Sequence, residues 1–219
     1  MDRAGGHVGS DLAGPSVGAG PVRRAAHFTV VVDIEVTRLD ASPTTRALLS
    51  DILIEVVAGG GSVSFMHPLD PAAADAYWEH ALATADRDER VILGAWDGNV
   101  LAGTVTLLLD LPPNQPHRAE VVKLMTRPSH RGLGIGTSLM RAAEAVAVER
   151  KRTLLVLDTA VDGGAANLYA RLGFTLTGEI PDYAFKPHGG LTGTLIYWKR
   201  IGPIEAATGR EPAGARLEF

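Results

Sequence analysis

The 219-residue chain is 46% hydrophobic and 21% charged, which is typical of a soluble globular protein with a sizeable core. Its net charge of -4, without a basic cluster that contains aromatic residues, argues against nucleic acid as a partner. The absence of cysteine excludes disulfides, thiolate catalysis and thiolate metal sites. No apolar run approaches the roughly 20 residues of a membrane span, and the N-terminus does not resemble a signal peptide. We therefore expect a cytoplasmic protein that binds neither nucleic acid nor a membrane.

Composition divides the chain into three segments. Residues 1–27 are rich in Gly, Ala and Pro without an apolar period, which predicts a flexible leader. Residues 28–201 contain the periodic patterns and form the predicted folded domain. Residues 202–219 again lack such a pattern, so we expect a flexible tail.

The first part of the domain predicts a strand and two helices. Residues 28–39 are rich in β-branched residues and alternate in their second half, which indicates a strand. A capping residue followed by proline marks the start of each helix, at Ser42-Pro43 and at Asp70-Pro71. Three consecutive glycines at 59–61 end the first helix.

A hairpin follows the helices. Residues 91–96 and 100–109 are predicted strands, and the Asp97-Gly98 turn joins them. Gly103 lies inside the second of these strands, where glycine indicates a bulge or a close backbone contact.

The most informative stretch combines a strand, a glycine-rich turn and a helix. An apolar strand at 120–126 precedes Gly132, Gly134 and Gly136, and an amphipathic helix begins immediately afterwards. Glycine allows close backbone approach, and a helix start provides free N–H groups and a positive dipole end. The pattern suits an anionic ligand such as a phosphate, although a purely structural turn would also explain the glycines.

Several ligand classes do not fit this turn. It lacks the GK[ST] sequence of a P-loop, and the third glycine, Gly136, comes one residue too early for a dinucleotide fingerprint. The seven histidines show neither H-x-H nor H-E-x-x-H spacing, so we expect no metal.

A parallel strand pair is predicted after the turn. The continuous apolar run at 154–157 is typical of a strand buried on both faces, and Asp158 follows it. Because a helix separates it from the strand at 120–126, the two strands should be parallel neighbours with a crossover helix.

The domain ends with a short helix and two further strands. The helix is predicted at 165–172, and the strands at 174–180 and 194–201. The intervening residues, 181–193, are interpreted as a long loop, which in a compact domain is often functional.

Two segments resemble the GNAT N-acetyltransferases. The Arg131–Gly136 sequence, RGLGIG, matches the family's acetyl-CoA signature R/Q-x-x-G-x-G/A. Asn167, Tyr169 and the Gly173-Phe174 pair match its later N-x-Y-x-x-x-G-F segment. The resemblance implies an α/β (α+β) fold with a mixed, mostly antiparallel central sheet that contains a central parallel strand pair and is flanked by helices.

A narrower resemblance is to the tabtoxin-resistance acetyltransferase branch. It rests on residues 119–125, on 157–159 and on the segment from 178 to 197.

The family resemblance implies acetyl-CoA as co-substrate and assigns residues to it. The signature loop would hold the pyrophosphate through backbone amides, and the preceding strand would pair with the pantetheine arm. The implied cofactor-binding residues are Leu124, Met125, Thr126, Arg131, Gly132, Leu133, Gly134, Ile135, Gly136, Thr137 and Asn167.

Three catalytic residues follow from this resemblance. An alkyl amine with a pKa of about 10.4 must lose a proton before it attacks, so a base is needed. Glu120 and Asp158 are the candidates, because both lie near the ends of predicted parallel strands; the alternative is a structural ion pair with Lys123 or Arg118. Tyr169 matches the family tyrosine that protonates the leaving thiolate.

Acceptor contacts are expected from two loops. Phe65 lies in the loop between the first two helices, and Tyr183 lies in the predicted final loop. Both residues could instead pack on the core.

These observations predict an N-acetyltransferase that acts on a small-molecule amine, such as an antibiotic, a toxin or an amino-acid-like compound. The alternatives are acetylation of protein lysines or N-termini, a non-catalytic acyl-CoA sensor and a nucleotide-binding regulator. A homodimer is one expectation for its assembly.

Overall fold

The computed structural model describes residues 34–202. The predicted leader, the first residues of the predicted first strand and all but one residue of the predicted tail lie outside this range. The elements in chain order are β1 (Ile34–Arg38), α1 (Pro43–Ala58), α2 (Pro71–Asp86), β2 (Arg90–Asp97), β3 (Val100–Leu108), β4 (Arg118–Thr126), α3 (Ile135–Glu149), β5 (Leu154–Ala160), α4 (Ala166–Arg171), β6 (Thr175–Phe185) and β7 (Leu191–Arg200).

The strands form one mixed sheet of seven strands in the order β1-β2-β3-β4-β5-β7-β6. β4 and β5 are parallel, and the other neighbours are antiparallel. The crossover from β4 to β5 passes through α3. The predicted fold class, including the central parallel pair, is therefore confirmed.

The two N-terminal helices begin where capping chemistry predicts. The Ser42 hydroxyl accepts a hydrogen bond from the Thr45 amide at 3.2 Å. The Asp70 carboxylate accepts one from the Ala72 amide at 2.9 Å. Each cap satisfies an amide that has no partner within its helix, which typically contributes about 1 kcal/mol.

The core has a layer on each face of the sheet. On one face α1 and α2 bury Leu49, Leu53 and Trp78 against the sheet. On the other face α3 buries Leu139 and Ala143. Full burial of a leucine side chain contributes about 1.5–3 kcal/mol.

Gly103 marks the close contact that its position in the strand predicts. A Cβ atom there would lie 2.7 Å from the Met125 carbonyl oxygen and 2.9 Å from Cγ2 of Ile135. The β2–β3 register also shifts nearby, between Ala95 and Trp96. Glycine therefore allows the start of α3 to rest directly on β3.

The central parallel pair separates after a few residues. β4 and β5 pair from Arg118 opposite Leu154 to Glu120 opposite Val156, although both strands continue beyond that point. The β3–β4 register shifts between Thr104 and Thr106. Lys123 lies at this irregularity with a left-handed φ of 53°. The bulge turns the second half of β4 away from β5 and opens a gap between them.

The predicted long loop at 181–193 is wrong. β6 runs through Pro181 to Phe185, and β7 begins at Leu191, so only residues 186–190 connect them. Pro181 is tolerated because β6 is the edge strand and its pairing is irregular between Ile180 and Ala184. The first part of the predicted loop is therefore a bulged edge strand.

No helix within residues 34–202 has the length and apolar character that crossing a membrane requires.

Candidate active site

The first cavity lies between the separated ends of β4 and β5. It has a volume of about 540 Å³, which is within the usual range for a ligand site. Leu124, Met125 and Thr126 of β4 line one side, and Thr159 and Ala160 of β5 line the other. Because the parallel pairing ends at Glu120, the β4 backbone at 124–126 has no strand partner on the β5 side. An extended ligand arm can therefore bind there as an additional strand.

The glycine turn at residues 132–136 lines this cavity where α3 begins. Gly132 and Gly134 have left-handed φ values of 79° and 82°. Among the described residues, no hydrogen-bond acceptor is found for the backbone amides of residues 132–136. These amides and the dipole of α3 together suit a phosphate or pyrophosphate group.

Most residues predicted to bind the cofactor line this cavity. They are Leu124, Met125, Thr126, Arg131, Gly132, Gly134, Ile135 and Gly136.

Three residues of the predicted cofactor set do not line it. The Leu133 side chain is exposed, and the Thr137 amide already donates to the Gly134 carbonyl at 2.9 Å. Asn167 is exposed inside α4, whose N-cap residue is Ala165, so Asn167 does not cap that helix. A cofactor role for these three residues stays a prediction.

Gly134→Val is expected to raise the Kd for acetyl-CoA at least tenfold. The left-handed φ costs an L-residue about 1–2 kcal/mol, and relief of that strain would move the amides that line the cavity. Isothermal titration calorimetry measures the loss. Gly98→Val is the matched control, because Gly98 also has a positive φ and an open environment but lies in the β2–β3 turn. An unchanged Kd in Gly134→Val would contradict an amide-based site.

A second cavity, of about 270 Å³, adjoins the first. Leu124 and Tyr169 line both cavities, so they mark the junction. Lys123 of β4, Asp158 of β5 and Tyr183 of β6 also line the second cavity. The site therefore consists of a larger cavity beside free amides and a smaller one lined by Lys123 and Asp158.

Asp158 faces the second cavity and remains accessible. Asp158 is an exposed residue on β5, and one of its carboxylate oxygens lies 3.1 Å from the Thr194 hydroxyl, which shares its single hydrogen with the Thr159 carbonyl, also at 3.1 Å. This contact orients the carboxylate and leaves its other oxygen available for a ligand. Asp158 is thus placed where a substrate amine could reach it.

Glu120 has a different environment. Its carboxylate lies 3.2 Å from a guanidinium nitrogen of Arg118, and Glu120 lines neither cavity. The ion pair is the structural alternative that the sequence left open. Asp158, by contrast, forms no ion pair with Lys123: among residues 34–202, no carboxylate oxygen of Asp158 lies within 4.0 Å of the Lys123 ammonium.

Tyr169 is buried at the junction of the cavities, with 5% of its surface exposed. Burial raises the pKa of its phenol to about 12. A hydrogen bond with the Thr159 side chain lowers this pKa but does not outweigh burial. The negative charge of Asp158 raises the pKa further. Its ring packs against Phe174 and Tyr197, with centroids 5.9 Å and 5.4 Å away. The phenol is therefore a fixed, protonated hydrogen-bond donor at neutral pH.

The two predicted acceptor-binding residues have different surroundings. Tyr183 is 56% exposed and lines the second cavity. Phe65 lines neither cavity and packs edge-on against Tyr77, with ring centroids 5.3 Å apart. Phe65 thus has the core-packing position that was its alternative interpretation.

The sequence did not single out the role of Lys123 or the contacts of Lys186. Lys186 lines the first cavity and forms an ion pair with Asp162 at 2.5 Å. The only sequence feature that points to Lys123 is its position as a lysine inside the apolar run of β4. Its place in the lining of the second cavity depends on the bulge in β4, which the sequence does not reveal.

Within residues 34–202, no cluster of three or more His, Asp or Glu side chains is arranged to hold a metal ion.

The family model described as acetyltransferase (GNAT) family matches residues 62–174. N-acetyltransferase 8F1 of Rattus norvegicus is 33% identical over 87 residues, which cover 39% of this chain and 39% of that protein. The chain thus aligns with well under half the length of this curated relative.

Solved structures share the fold at low sequence identity. An N-acetyltransferase from Staphylococcus aureus Mu50 is 16% identical, with a TM-score of 0.67 over 78% of this chain and 99% of that chain. The yncA protein of Salmonella typhimurium, solved with its cofactor acetyl-CoA, is 16% identical, with a TM-score of 0.63 over 79% and 96%. A ribosomal-protein-alanine N-acetyltransferase from Brucella melitensis is 19% identical, with a TM-score of 0.65 over 76% and 99%. With the family model covering more than half of the sequence, the chain belongs to the acetyltransferase (GNAT) family.

Proposed function

We propose that this protein transfers the acetyl group of acetyl-CoA to the amine of a small molecule. Acetyl-CoA supplies a thioester whose carbonyl carbon accepts the amine and whose sulfur leaves as a thiolate. The observation that carries the proposal is the gap between β4 and β5, which leads from the free amides at 132–136 to Tyr169 and Asp158. The free amides suit the pyrophosphate, and the unpaired β4 backbone at 124–126 suits the amide-containing arm.

Asp158 is the proposed base for the acceptor. Its free carboxylate oxygen can bind the ammonium group and accept a proton from it, directly or through water. Glu120 could serve only through a longer path, because Arg118 engages its carboxylate. We therefore assign amine binding and proton transfer to Asp158. We interpret Glu120 as a structural residue that forms an ion pair with Arg118.

Tyr169 is the proposed donor to the leaving sulfur. A phenol with a pKa of about 12 is a weaker acid than a thiol with a pKa near 8.5, so complete proton transfer to the thiolate is uphill. A hydrogen bond from the phenol to the developing thiolate carries no such penalty. The proton released from the amine can then neutralise the thiolate after the acetyl group has moved.

The size of the second cavity favours a small acceptor. At about 270 Å³ it is slightly below the usual range for drug-sized ligands. Acetylation of a protein lysine or N-terminus is the alternative that a peptide-sized acceptor would require. The resemblance to the tabtoxin-resistance branch suggests a toxin or antibiotic as acceptor. This acceptor class stays a prediction, and so do the cytoplasmic location and the homodimer.

A thiol-release screen tests the proposal. Purified protein with acetyl-CoA should release free thiol in the presence of at least one class of small amine, and not with peptides alone. Tyr169→Phe is the control for enzyme-dependent release. Release with peptides only would favour protein acetylation, and tight acetyl-CoA binding without release for any acceptor would favour the sensor alternative.

A further inference from the structure

Lys123 is a charged residue in the interior of β4, at the point where the strand bends away from β5. Its backbone φ of 53° is left-handed, a conformation that costs a residue with a Cβ about 1–2 kcal/mol. Such an outlier persists only where the surroundings hold it, and it is often functional. Here the outlier is a lysine that lines the second cavity.

The Lys123 ammonium is held by the loop between α1 and α2. Its Nζ donates to the Val63 carbonyl at 2.7 Å and to the Ser64 hydroxyl at 3.1 Å. The rings of Phe65 and Tyr77 flank it, with centroids 5.5 Å and 5.4 Å from Nζ. An ammonium has three N–H donors, so one of them has no protein acceptor among residues 34–202.

The negative charge near Lys123 offsets only part of the cost of burying its ammonium group. Burial lowers the pKa of its ammonium, and the negative charge of Asp158 opposes that shift. Among the residues that line the second cavity, Lys123 is the one cation and Asp158 the one carboxylate. Tyr169, which also lines this cavity, is protonated at neutral pH because burial raises the pKa of its phenol to about 12. The small cavity therefore presents one positive and one negative group to its ligand.

We propose that Lys123 binds a carboxylate of the acceptor, so that the substrate is a compact amino acid or a similar zwitterion. The ammonium of the acceptor would face Asp158, and its carboxylate would accept the free N–H of Lys123. This inference rests on the proposed function and narrows it. A plain amine, a polyamine or a peptide lysine carries no carboxylate near the reacting amine and would leave Lys123 without its partner.

A purely structural role for Lys123 makes a different prediction. If the ammonium only fastened the loop at 63–64, its loss would weaken turnover of all acceptors by a similar factor. If it binds a carboxylate, its loss should selectively affect acceptors that carry one. A charged hydrogen bond of this kind corresponds to about 10- to 100-fold in binding.

The test compares amino acids with their carboxamides, which differ only in the charged group. Wild-type protein should have a kcat/KM about 10- to 100-fold higher for the amino acid. Loss of the carboxylate lowers the pKa of the amine, so any effect of deprotonation favours the carboxamide and works against this expectation. In Lys123→Met the preference should fall to within about threefold, and Lys123→Arg should restore part of it.

Lys199→Met is the matched control, because the Lys199 ammonium also donates a hydrogen bond and also lies near an aromatic ring. Its Nζ is 2.5 Å from Glu144 and 5.9 Å from the centroid of Phe174, but it lines neither cavity. This variant should keep the wild-type preference. Unchanged acetyl-CoA affinity in Lys123→Met would show that the first cavity remains intact.

Calorimetry with CoA present separates this inference from the proposed function. Amino-acid binding that disappears in Lys123→Met supports the carboxylate site even if no amine releases thiol. Turnover without any preference for the carboxylate, or a preference that survives in Lys123→Met, would overturn it. If neither turnover nor amino-acid binding occurs, both proposals fail.

Discussion

Tyr169→Phe is expected to lower kcat by about 10²–10³-fold and to leave the Kd for acetyl-CoA within about twofold. The substitution removes only the hydroxyl from a residue at the junction of both cavities. If the phenol stabilises the developing thiolate, its loss affects the transition state far more than the bound state. Pre-steady-state or steady-state thiol release measures kcat, and calorimetry measures the affinity.

Tyr197→Phe is the matched control for this experiment. Its ring lies 5.4 Å from that of Tyr169 in the same buried cluster, but Tyr197 lines neither cavity. Each variant removes one hydroxyl oxygen from a residue that is 5% exposed. Turnover should fall in Tyr169→Phe alone, and a similar loss in both variants would assign the effect to packing.

The pH dependence provides a second check on Tyr169. Because burial raises the pKa of its phenol to about 12, the hydroxyl stays protonated throughout the neutral and moderately alkaline range. Ionisation of Tyr169 should therefore cause no fall in rate until the pH approaches 12. A falling limb between about pH 9 and 10 that vanishes in Tyr169→Phe would contradict the buried environment of this phenol.

Local sequence signals predicted most of the fold. Ser42 and Asp70 each precede proline and cap a helix through a side-chain hydrogen bond, as their chemistry requires. Gly103 was expected at a bulge or close contact, and it lies against both β4 and the start of α3. These predictions succeeded because the determining interactions are within a few residues or depend on the size of one side chain.

The prediction failed where an edge strand and a bulge decide the structure. Residues 181–193 were interpreted as a loop, yet β6 continues through Pro181 because an edge strand needs partners on one side only. The same limitation applies to Lys123, whose left-handed φ follows from the irregular pairing of β3 and β4. Register shifts depend on three neighbouring strands, and no local pattern encodes them.

The two candidate bases, Glu120 and Asp158, have similar positions in the sequence but different environments in the fold. Both Glu120 and Asp158 lie near the ends of apolar strands, so the sequence treated them alike. In the fold, Arg118 lies two residues from Glu120 on the same face of β4 and engages it. The Asp158 carboxylate is instead oriented by the Thr194 hydroxyl from β7, a partner 36 residues away that no local pattern indicates.

Asp158→Asn is expected to reduce kcat/KM for the acceptor by about 10²–10⁴-fold at pH 7. An alkyl amine with a pKa of about 10.4 is neutral in roughly one molecule in a few thousand at that pH, so productive attack depends on a group that removes the proton. Asparagine keeps the size and the hydrogen bond from Thr194 but cannot accept the proton. The Kd for acetyl-CoA should stay within about twofold.

The deficit of Asp158→Asn should shrink as the pH rises. Near pH 9 about 4% of such an amine is already neutral, roughly 100 times the fraction at pH 7, and this fraction needs no base. The ratio of wild-type to variant kcat/KM should therefore fall steadily between pH 7 and 10. A ratio that stays constant over this range would indicate that Asp158 only shapes the cavity.

Glu120→Gln in the same pH series distinguishes the two carboxylates. Its ion pair with Arg118 is partly exposed, with 32% of the Glu120 side chain accessible, so its loss should cost less than about 1 kcal/mol of stability. We expect kcat/KM to change less than about threefold at every pH, because neither cavity contains this carboxylate. If instead Glu120→Gln shows the large, pH-dependent deficit and Asp158→Asn does not, the base is Glu120, and the proton must travel from the amine to β4 through water.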